Sequence, residues 1–265
     1  MRIAITGATG FIGTALTRSL EHDGHTVVPI SRSPIPGGAR WDPSRHELDT
    51  AGLDGLDGVV HLAGEGIGDK RWSADQKARI LESRRQGTAL LSEAIASLAR
   101  KPPVLVSGSA IGIYGDRGDE VLTEASPPGD DFLVHVCREW EAATATAQAA
   151  GIRVAHIRTG IVLADGGGVL GKMAPLFRLG LGGRLGPGTQ WMSWISRPDH
   201  VGAIRFLLEH PVAGPVNLTA PHPVPNREFT RVLASVLHRP AVLAVPKLGP
   251  RLLVGRELAE LLLFV

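Results

Sequence analysis

The sequence predicts a doubly wound α/β protein, a parallel sheet covered by helices on both faces, with a smaller C-terminal region laid against it. Three observations carry this. Short apolar runs alternate with helical patterns through the first 160 residues. Those runs are apolar throughout rather than at every second position, as strands buried on both faces must be. A glycine-rich turn joins the first run to the first helix.

The elements follow in order. RIAIT is the first strand, FIGTALTRSLEHDG the first helix and HTVVPIS the second strand. GVVHLAG is a third strand, followed by a long helix from about Ser73 to Arg100 and the strand PVLVSGS. In DFLVHVCREWEAA, residues 131–143, Phe132, Leu133, Val136, Cys137 and Trp140 recur at helical spacing. IRVAHIRTGIVL reads as one further strand. Beyond about Leu163 the loops become glycine-rich, with helical pieces near 169–179, 199–209 and 226–237. This divides the chain into a doubly wound domain, 1–160, and a smaller region, 161–265, interleaved at a soft boundary, the smaller region lying where an open α/β sheet places a ligand. The apolar pattern RELAELLLFV runs to the last residue without a cap or polar tail, which suggests a shortened C-terminus.

Composition narrows the class. With 43% apolar and 20% charged residues, the 265-residue chain suits a soluble globular protein. Lysine and arginine number 28 against 26 acidic residues, and no basic cluster exceeds three, so no nucleic-acid partner is expected. A single cysteine excludes a disulfide framework. The ten histidines form no HxH or HxxxH pair, so no metal site is expected. MRIAITGATG is unlike a signal peptide, and no apolar run approaches the roughly 18 residues of a membrane span. The expectation is a cytoplasmic protein with no membrane partner.

The strongest motif is Thr6-Gly7-Ala8-Thr9-Gly10-Phe11-Ile12-Gly13, placed between a strand and a helix. Gly7 permits the tight turn, Gly10 lets the backbone approach a pyrophosphate, and Gly13 lets the helix pack closely. The phosphate charge then rests on the free N–H groups of that helix. The second strand ends at Ser31-Arg32 without the acidic residue that accepts from a ribose 2′-hydroxyl in NAD sites. Arg32 offers a planar cationic fork to a 2′-phosphate and Ser31 a hydroxyl, so the expected cofactor is NADP(H). Arg84 lies on the apolar stripe of the long helix with Ile80 and Leu91, where a cation needs a partner.

The leading threonine and glycine spacing resemble the short-chain dehydrogenase/reductase superfamily. HLAGEGIGDKRW, ESRRQGT, SGSAIGIYG, IRTGIVLADGGG, FRLGLGG and GTQWMSWI resemble its extended, atypical epimerase-like members, from Met1 to about Val254. The resemblance implies a Rossmann fold and a cofactor lying along Gly7, Thr9, Gly10, Phe11, Ile12 and Gly13. It places Leu62, Ala63 and Gly64 beside the adenosine and ribose, Arg84 and Ser107 near the cofactor, and Val162 at the nicotinamide. It also implies an oxidoreductase or epimerase acting on a small polar or sugar-like substrate, and helices that pair into a homodimer.

In that superfamily a serine, a tyrosine and a lysine share the proton transfer, the last two sitting four apart on one helix. Ser109 stands at the serine position. Matching Glu141 to the family's downstream glutamate puts Leu133 at the tyrosine and Cys137 at the lysine. The only tyrosine, Tyr114, lies in the serine loop with no lysine four residues on. Ser109 and Tyr114 are therefore the catalytic candidates, with His135 or Glu65 as substitute proton carriers. The other reading is a non-catalytic NADP(H)-binding regulatory or sensor protein. His135 falls on a different helix face from Cys137, so the two form no nucleophile–base pair. Trp191 and Trp194 are candidates for stacking on a sugar or for anchoring loops, Lys70-Arg71-Trp72 for meeting a phosphate, and Asp199 for capping a helix.

Overall fold

The computed structural model describes residues 1–241 and 243–263, so Phe264 and Val265 of the terminal apolar pattern lie outside the described residues. The chain runs β1 (Arg2–Thr6), α1 (Gly13–His22), β2 (Thr26–Ser31), β3 (Ala39–Asp42), β4 (Glu47–Leu48), β5 (Gly58–His61) and α2 (Ala74–Ser97). It continues with β6 (Val104–Ala110), α3 (Phe132–Ala142), α4 (Ala145–Ala149), β7 (Arg153–Thr159), β8 (Ile161–Leu163), α5 (Gly168–Arg178) and β9 (Gly183–Leu185). The remainder is β10 (Trp191–Met192), β11 (Trp194–Ser196), α6 (Arg197–Glu209), β12 (Gly214–Leu218), β13 (Val224–Pro225), α7 (Asn226–Val236), β14 (Leu243–Val245), α8 (Leu248–Val254) and α9 (Arg256–Leu263).

Eight strands form the main sheet in the order β12-β7-β6-β5-β1-β2-β3-β4. The pairings from β12 to β3 are parallel, and only β4 runs antiparallel. Strand alternation explains the two-sided core. Ile3 and Ile5 of β1 face Leu16 and Leu20 of α1 and Ile204 and Leu207 of α6. Ala4, with Val28 and Ile30 of β2, faces Leu90, Leu91 and Ile95 of α2. The doubly wound sheet expected from the continuous apolar runs is thus present, with a connection that reverses between β1 and β5. In such sheets that switch opens a crevice at the carboxyl edge.

Two details differ from the sequence reading. IRVAHIRTGIVL is not one strand: it breaks at Gly160, where a Cβ would fall 2.4 Å from the Ser193 carbonyl oxygen. β8 leaves the main sheet there and pairs in parallel with β11. The small strands β3 and β4 were not legible either. They exist because Ala39 and Trp41 point into the core while Arg40 remains in solvent. From the later half of the chain, α6 packs on α1 and β12 extends the sheet beyond β7. No described helix is long and apolar enough to cross a membrane.

α3 begins at Asp131, whose carboxylate accepts from the Val134 amide at 3.0 Å. Its inward face buries Leu133, Val136, Cys137 and Trp140. Burial pushes the Cys137 thiol up to about 12, so it packs as a small hydrophobe. Asp199, expected as a cap or near-cap, is a near-cap in the first turn of α6; the cap itself is Ser196, its Oγ accepting from the Asp199 amide at 3.1 Å.

His61 and His200 are wholly buried, and desolvation holds them down to about 3 and about 4. Below the ordinary value of 6.5 the unfolded chain binds protons that the native chain refuses, so both cost stability as the pH falls. Two such groups contribute a slope approaching about 2.7 kcal/mol per pH unit near pH 5, and His156, whose pKa burial also lowers, adds in the same direction. Urea unfolding at stepped pH should show stability falling on acidification at that slope. A slope below one proton's worth would mean the histidines take protons in the native state.

Candidate functional site

The turn after β1 is built by close backbone approach. Gly7 has φ +70°, a conformation glycine adopts without a steric penalty. A Cβ on Gly13 would fall 2.1 Å from the Gly7 carbonyl oxygen, so only glycine lets α1 start this close to the turn. The Gly10 amide closes the turn onto that oxygen at 2.9 Å. No side chain caps α1 at Ile12; the Thr14 amide is taken by the Gly10 carbonyl at 2.9 Å, and the amides ahead of it at Ile12 and Gly13 are left for an anion.

Beneath the turn, Thr6 Oγ1 accepts from the amides of Leu62 at 3.1 Å and Ala63 at 3.2 Å. It therefore donates to His61 Nδ1 at 2.7 Å, and His61 Nε2 donates to Thr88 Oγ1 at 2.9 Å. The neutral imidazole locks β1, β5 and α2 together under the cleft. His61 is thus a satisfied core histidine, as its apolar strand implied.

The cleft above has a volume of about 520 Å³. It brings together Gly7, Thr9, Gly10, Ser31, Arg32, Leu62, Ala63 and Gly64 among the expected cofactor residues. Phe11, Ile12 and Gly13 follow at the head of α1. Arg84, Ser107 and Val162 stand outside the cleft lining. Arg84 is 7% exposed, and its Nη1 donates to the carbonyls of Glu65 at 2.9 Å and Ile80 at 3.1 Å. Its guanidinium also lies 4.8 Å from the Trp140 ring, and burial draws its pKa down to about 10. Arg84 Nε and Ser107 Oγ are buried without partners among the described residues. Two unsatisfied donors beside the turn after β5 are what a polar ligand there would complete.

Sequence reasoning missed part of the cleft. Trp41 and Asp42 of β3 line it, as do Arg79, Glu82, Ser83 and Gln86 of α2. The α2 set follows helical spacing and adjoins Arg84, so periodicity contained that signal. The β3 residues lie in a stretch without periodicity.

Ser109 and Tyr114 are joined in one buried network. Ser109 Oγ donates to Glu141 Oε1 at 2.7 Å. Arg158 grips both Glu141 oxygens, Nε to Oε1 at 2.9 Å and Nη2 to Oε2 at 3.1 Å. Arg158 Nη1 donates to Tyr114 Oη at 3.0 Å, and Tyr114 Oη donates to Asn217 Oδ1 at 2.6 Å. Burial alone would raise the Glu141 carboxyl, but the hydrogen bonds from Arg158 and Ser109 outweigh it and hold the group below the ordinary range. Burial likewise opposes the Arg158 charge, and its bonds to Glu141 and Tyr114 raise its pKa instead. Nothing in the sequence reading anticipated Arg158.

A second cavity of about 560 Å³ lies beside this network, lined by Tyr114, Leu133, Ile161, Trp191 and Asn217. Leu261 and Leu262 of α9 also line it. Its rim includes Asp116, Arg117, Asp119 and Glu120, and Asp119 accepts from the Trp191 indole at 2.8 Å. Trp194 is anchored to the His222 carbonyl at 3.1 Å, and Trp72 to that of Ile67 at 2.9 Å. Lys70 pairs with Glu65 at 3.3 Å, and the Gln76 bond, before Lys70 and Arg79, lowers the Glu65 carboxyl. His135 is exposed on the outer face of α3. Among the described residues no group of three metal-ligating side chains occurs.

A strand–glycine turn–helix at the start of a parallel sheet, with a cleft across its switch point, defines a Rossmann fold. The chain belongs to the NAD dependent epimerase/dehydratase family, whose model matches residues 3–219. It is 42% identical to an epimerase family protein of Mycobacterium tuberculosis over 98% of this chain and 87% of the relative. The crystal structure of human epimerase family protein SDR39U1 (isoform 2) with NADPH matches with TM-score 0.92 and 37% identity. That match covers 99% of this chain and 89% of the human one. A nucleoside-diphosphate sugar epimerase from Corynebacterium glutamicum matches with TM-score 0.79 and 40% identity, covering 100% of this chain and 58% of that one. The resemblance to atypical epimerase-like members is borne out by these matches.

Replacing Arg158 by methionine leaves Glu141 charged, buried and deprived of both cationic bonds. Unfolding should then cost about 3–5 kcal/mol less, measured by urea titration. Ser109→Ala removes one hydrogen bond and should cost only about 1 kcal/mol. Equal costs for the two variants would show that the Arg158–Glu141 pair is not the centre of the network.

Proposed function

We propose that the protein is an NADP(H)-dependent oxidoreductase or epimerase-like enzyme acting on a small polar or sugar-like substrate. The observation that carries this reading is the division of the carboxyl edge of the sheet. The first cavity gathers residues that follow β1, β2 and β5, and the second gathers residues that follow β6, β7 and β12. A dinucleotide laid from Arg32 across the glycine turn toward Val162 has its nicotinamide end directed at the second cavity. When bound, NADP(H) supplies or accepts a hydride at its nicotinamide ring.

The chain's own part is binding and proton handling. Ser31 and Arg32 suit a 2′-phosphate, and the first-turn amides of α1 suit the pyrophosphate. Tyr114 Oη is the one phenol at the second cavity, with Arg158 donating to it at 3.0 Å. To pass a proton to a substrate, Tyr114 must exchange its bond to Asn217 for one to the substrate. Ser109 is committed to Glu141, so its role is to hold the network rather than a substrate oxygen. The loop 115–131 over the second cavity carries six carboxylates against one arginine, Arg117. Arg117 is itself held by Glu120 at 3.0 and 2.9 Å. A rim of that charge favours a neutral or cationic substrate over a nucleotide diphosphate.

A second reading, NADP(H) binding without turnover, draws on a specific observation: every polar atom of Ser109 and Tyr114 already has a partner, and Leu133 and Cys137 are buried and inert. The two readings separate by assay. Incubation with NADPH and a panel of aldehydes, ketones and free sugars should consume NADPH, and Tyr114→Phe should slow this by about 10²-fold or more. If no substrate outpaces the Ser109→Ala, Tyr114→Phe double variant, the binding reading replaces the enzymatic one. By calorimetry, Arg32→Ala should weaken NADPH by about 10- to 100-fold and leave NADH unchanged. Equal affinity of the native protein for both dinucleotides would remove the 2′-phosphate assignment.

A further inference from the structure

Arg197 is the first residue of α6 and stands against Phe11 of the glycine turn. Its guanidinium is half-buried and forms neither an ion pair nor a hydrogen bond among the described residues. The neighbouring carboxylate, Asp199, is taken up by Ser196, whose Oγ donates to it at 2.7 Å. Among the described residues the Arg197 head group has one ring contact, with Phe11, 4.9 Å from Cζ.

Phe11 belongs to the glycine turn, immediately before the uncapped first turn of α1. Its ring is boxed in from the side by the backbone at Gly167 and Gly168, where an added Cβ would stand 2.6 and 3.0 Å from ring carbons. The ring therefore ties the Arg197 guanidinium to the glycine turn, one residue before the N-cap position of α1. A partly desolvated cation with no anion of its own, next to a helix end with no cap, lacks only a negative partner.

We propose that Arg197 is a cofactor-binding residue that clamps the pyrophosphate of the dinucleotide against the head of α1. A cation–π contact is weaker than a charge-assisted fork to phosphate oxygens, so the guanidinium gains by moving from the ring to the phosphate. This rests on the NADP(H) reading and extends it. Arg32 then discriminates between dinucleotides through the 2′-phosphate, whereas Arg197 serves what all of them share.

The test is calorimetric titration of the full-length protein and its Arg197→Met and Arg197→Lys variants with NADPH and, separately, NADH. Thermal unfolding without cofactor checks that each variant folds. Methionine keeps the packing on Phe11 and removes the charge. It should weaken both dinucleotides by the same factor, about 10- to 100-fold, and flatten the salt dependence of binding. Lysine should recover part of that loss. Native protein that binds both dinucleotides while Arg197→Met matches it overturns the clamp alone. Loss confined to NADPH also overturns it, by moving the contact to the 2′-phosphate. Native protein that binds neither dinucleotide overturns the cofactor reading and the clamp with it.

Discussion

The approach of α1 to the turn after β1 is the constraint on which the rest of the site depends. With 2.1 Å between the Gly7 carbonyl oxygen and the place a Gly13 Cβ would occupy, no other residue allows the helix to start there. That start presents uncapped amides at the carboxyl edge of the sheet. Thr6, His61 and Thr88 fix the turn from below, and His61 must stay neutral to do so. The same packing that makes the turn rigid therefore makes it sensitive to acid. The geometry of the turn and the stability of the core share one hydrogen-bond chain.

The other end of the edge is organised by a buried ion pair. Arg158 on β7 meets Glu141 on α3, and this pair gathers Ser109, Tyr114 and Asn217 from three more segments. A buried pair is costly to break and seldom a large source of stability by itself, so its value lies in fixing one arrangement of β6, α3, β7 and β12. That arrangement shapes the second cavity. It also binds the hydroxyls that would handle protons, which limits chemistry to groups that can leave the network. Tyr114 faces the cavity and is able to exchange a partner, while Ser109 holds the carboxylate on which the pair depends.

Much of this was legible in the residues. The glycine turn, the apolar strands and the buried face of α3 follow from spacing and period, because backbone sterics and burial act locally. Arg84 was legible as a cation on an apolar seam, and its Glu65 and Ile80 carbonyl partners answer the need that position created. What was not legible depends on contacts between distant segments. Arg158 reads as one more residue of an apolar strand until β7 and α3 bring it to Glu141. Ser109 reads as a free hydroxyl until the same packing occupies it. The break at Gly160 is set by Ser193, more than thirty residues on, and the β3 wall of the cleft by a tryptophan buried from a stretch with no period. Local pattern gave the glycine-turn cleft, and tertiary pairing decided the Ser109–Glu141–Arg158–Tyr114 network beside the second cavity.

On the proposed reading the two cavities act as one site, with the cofactor in the first directing its nicotinamide to the second. A crystal structure of the protein with NADPH is the decisive measurement. It should show the 2′-phosphate beside Arg32, the nicotinamide between Leu133 and Val162, and Tyr114 Oη as the ionisable group nearest the open face of the ring. A nicotinamide directed away from the second cavity, or separated from it by the Ser109–Glu141–Arg158 network, would overturn this reading.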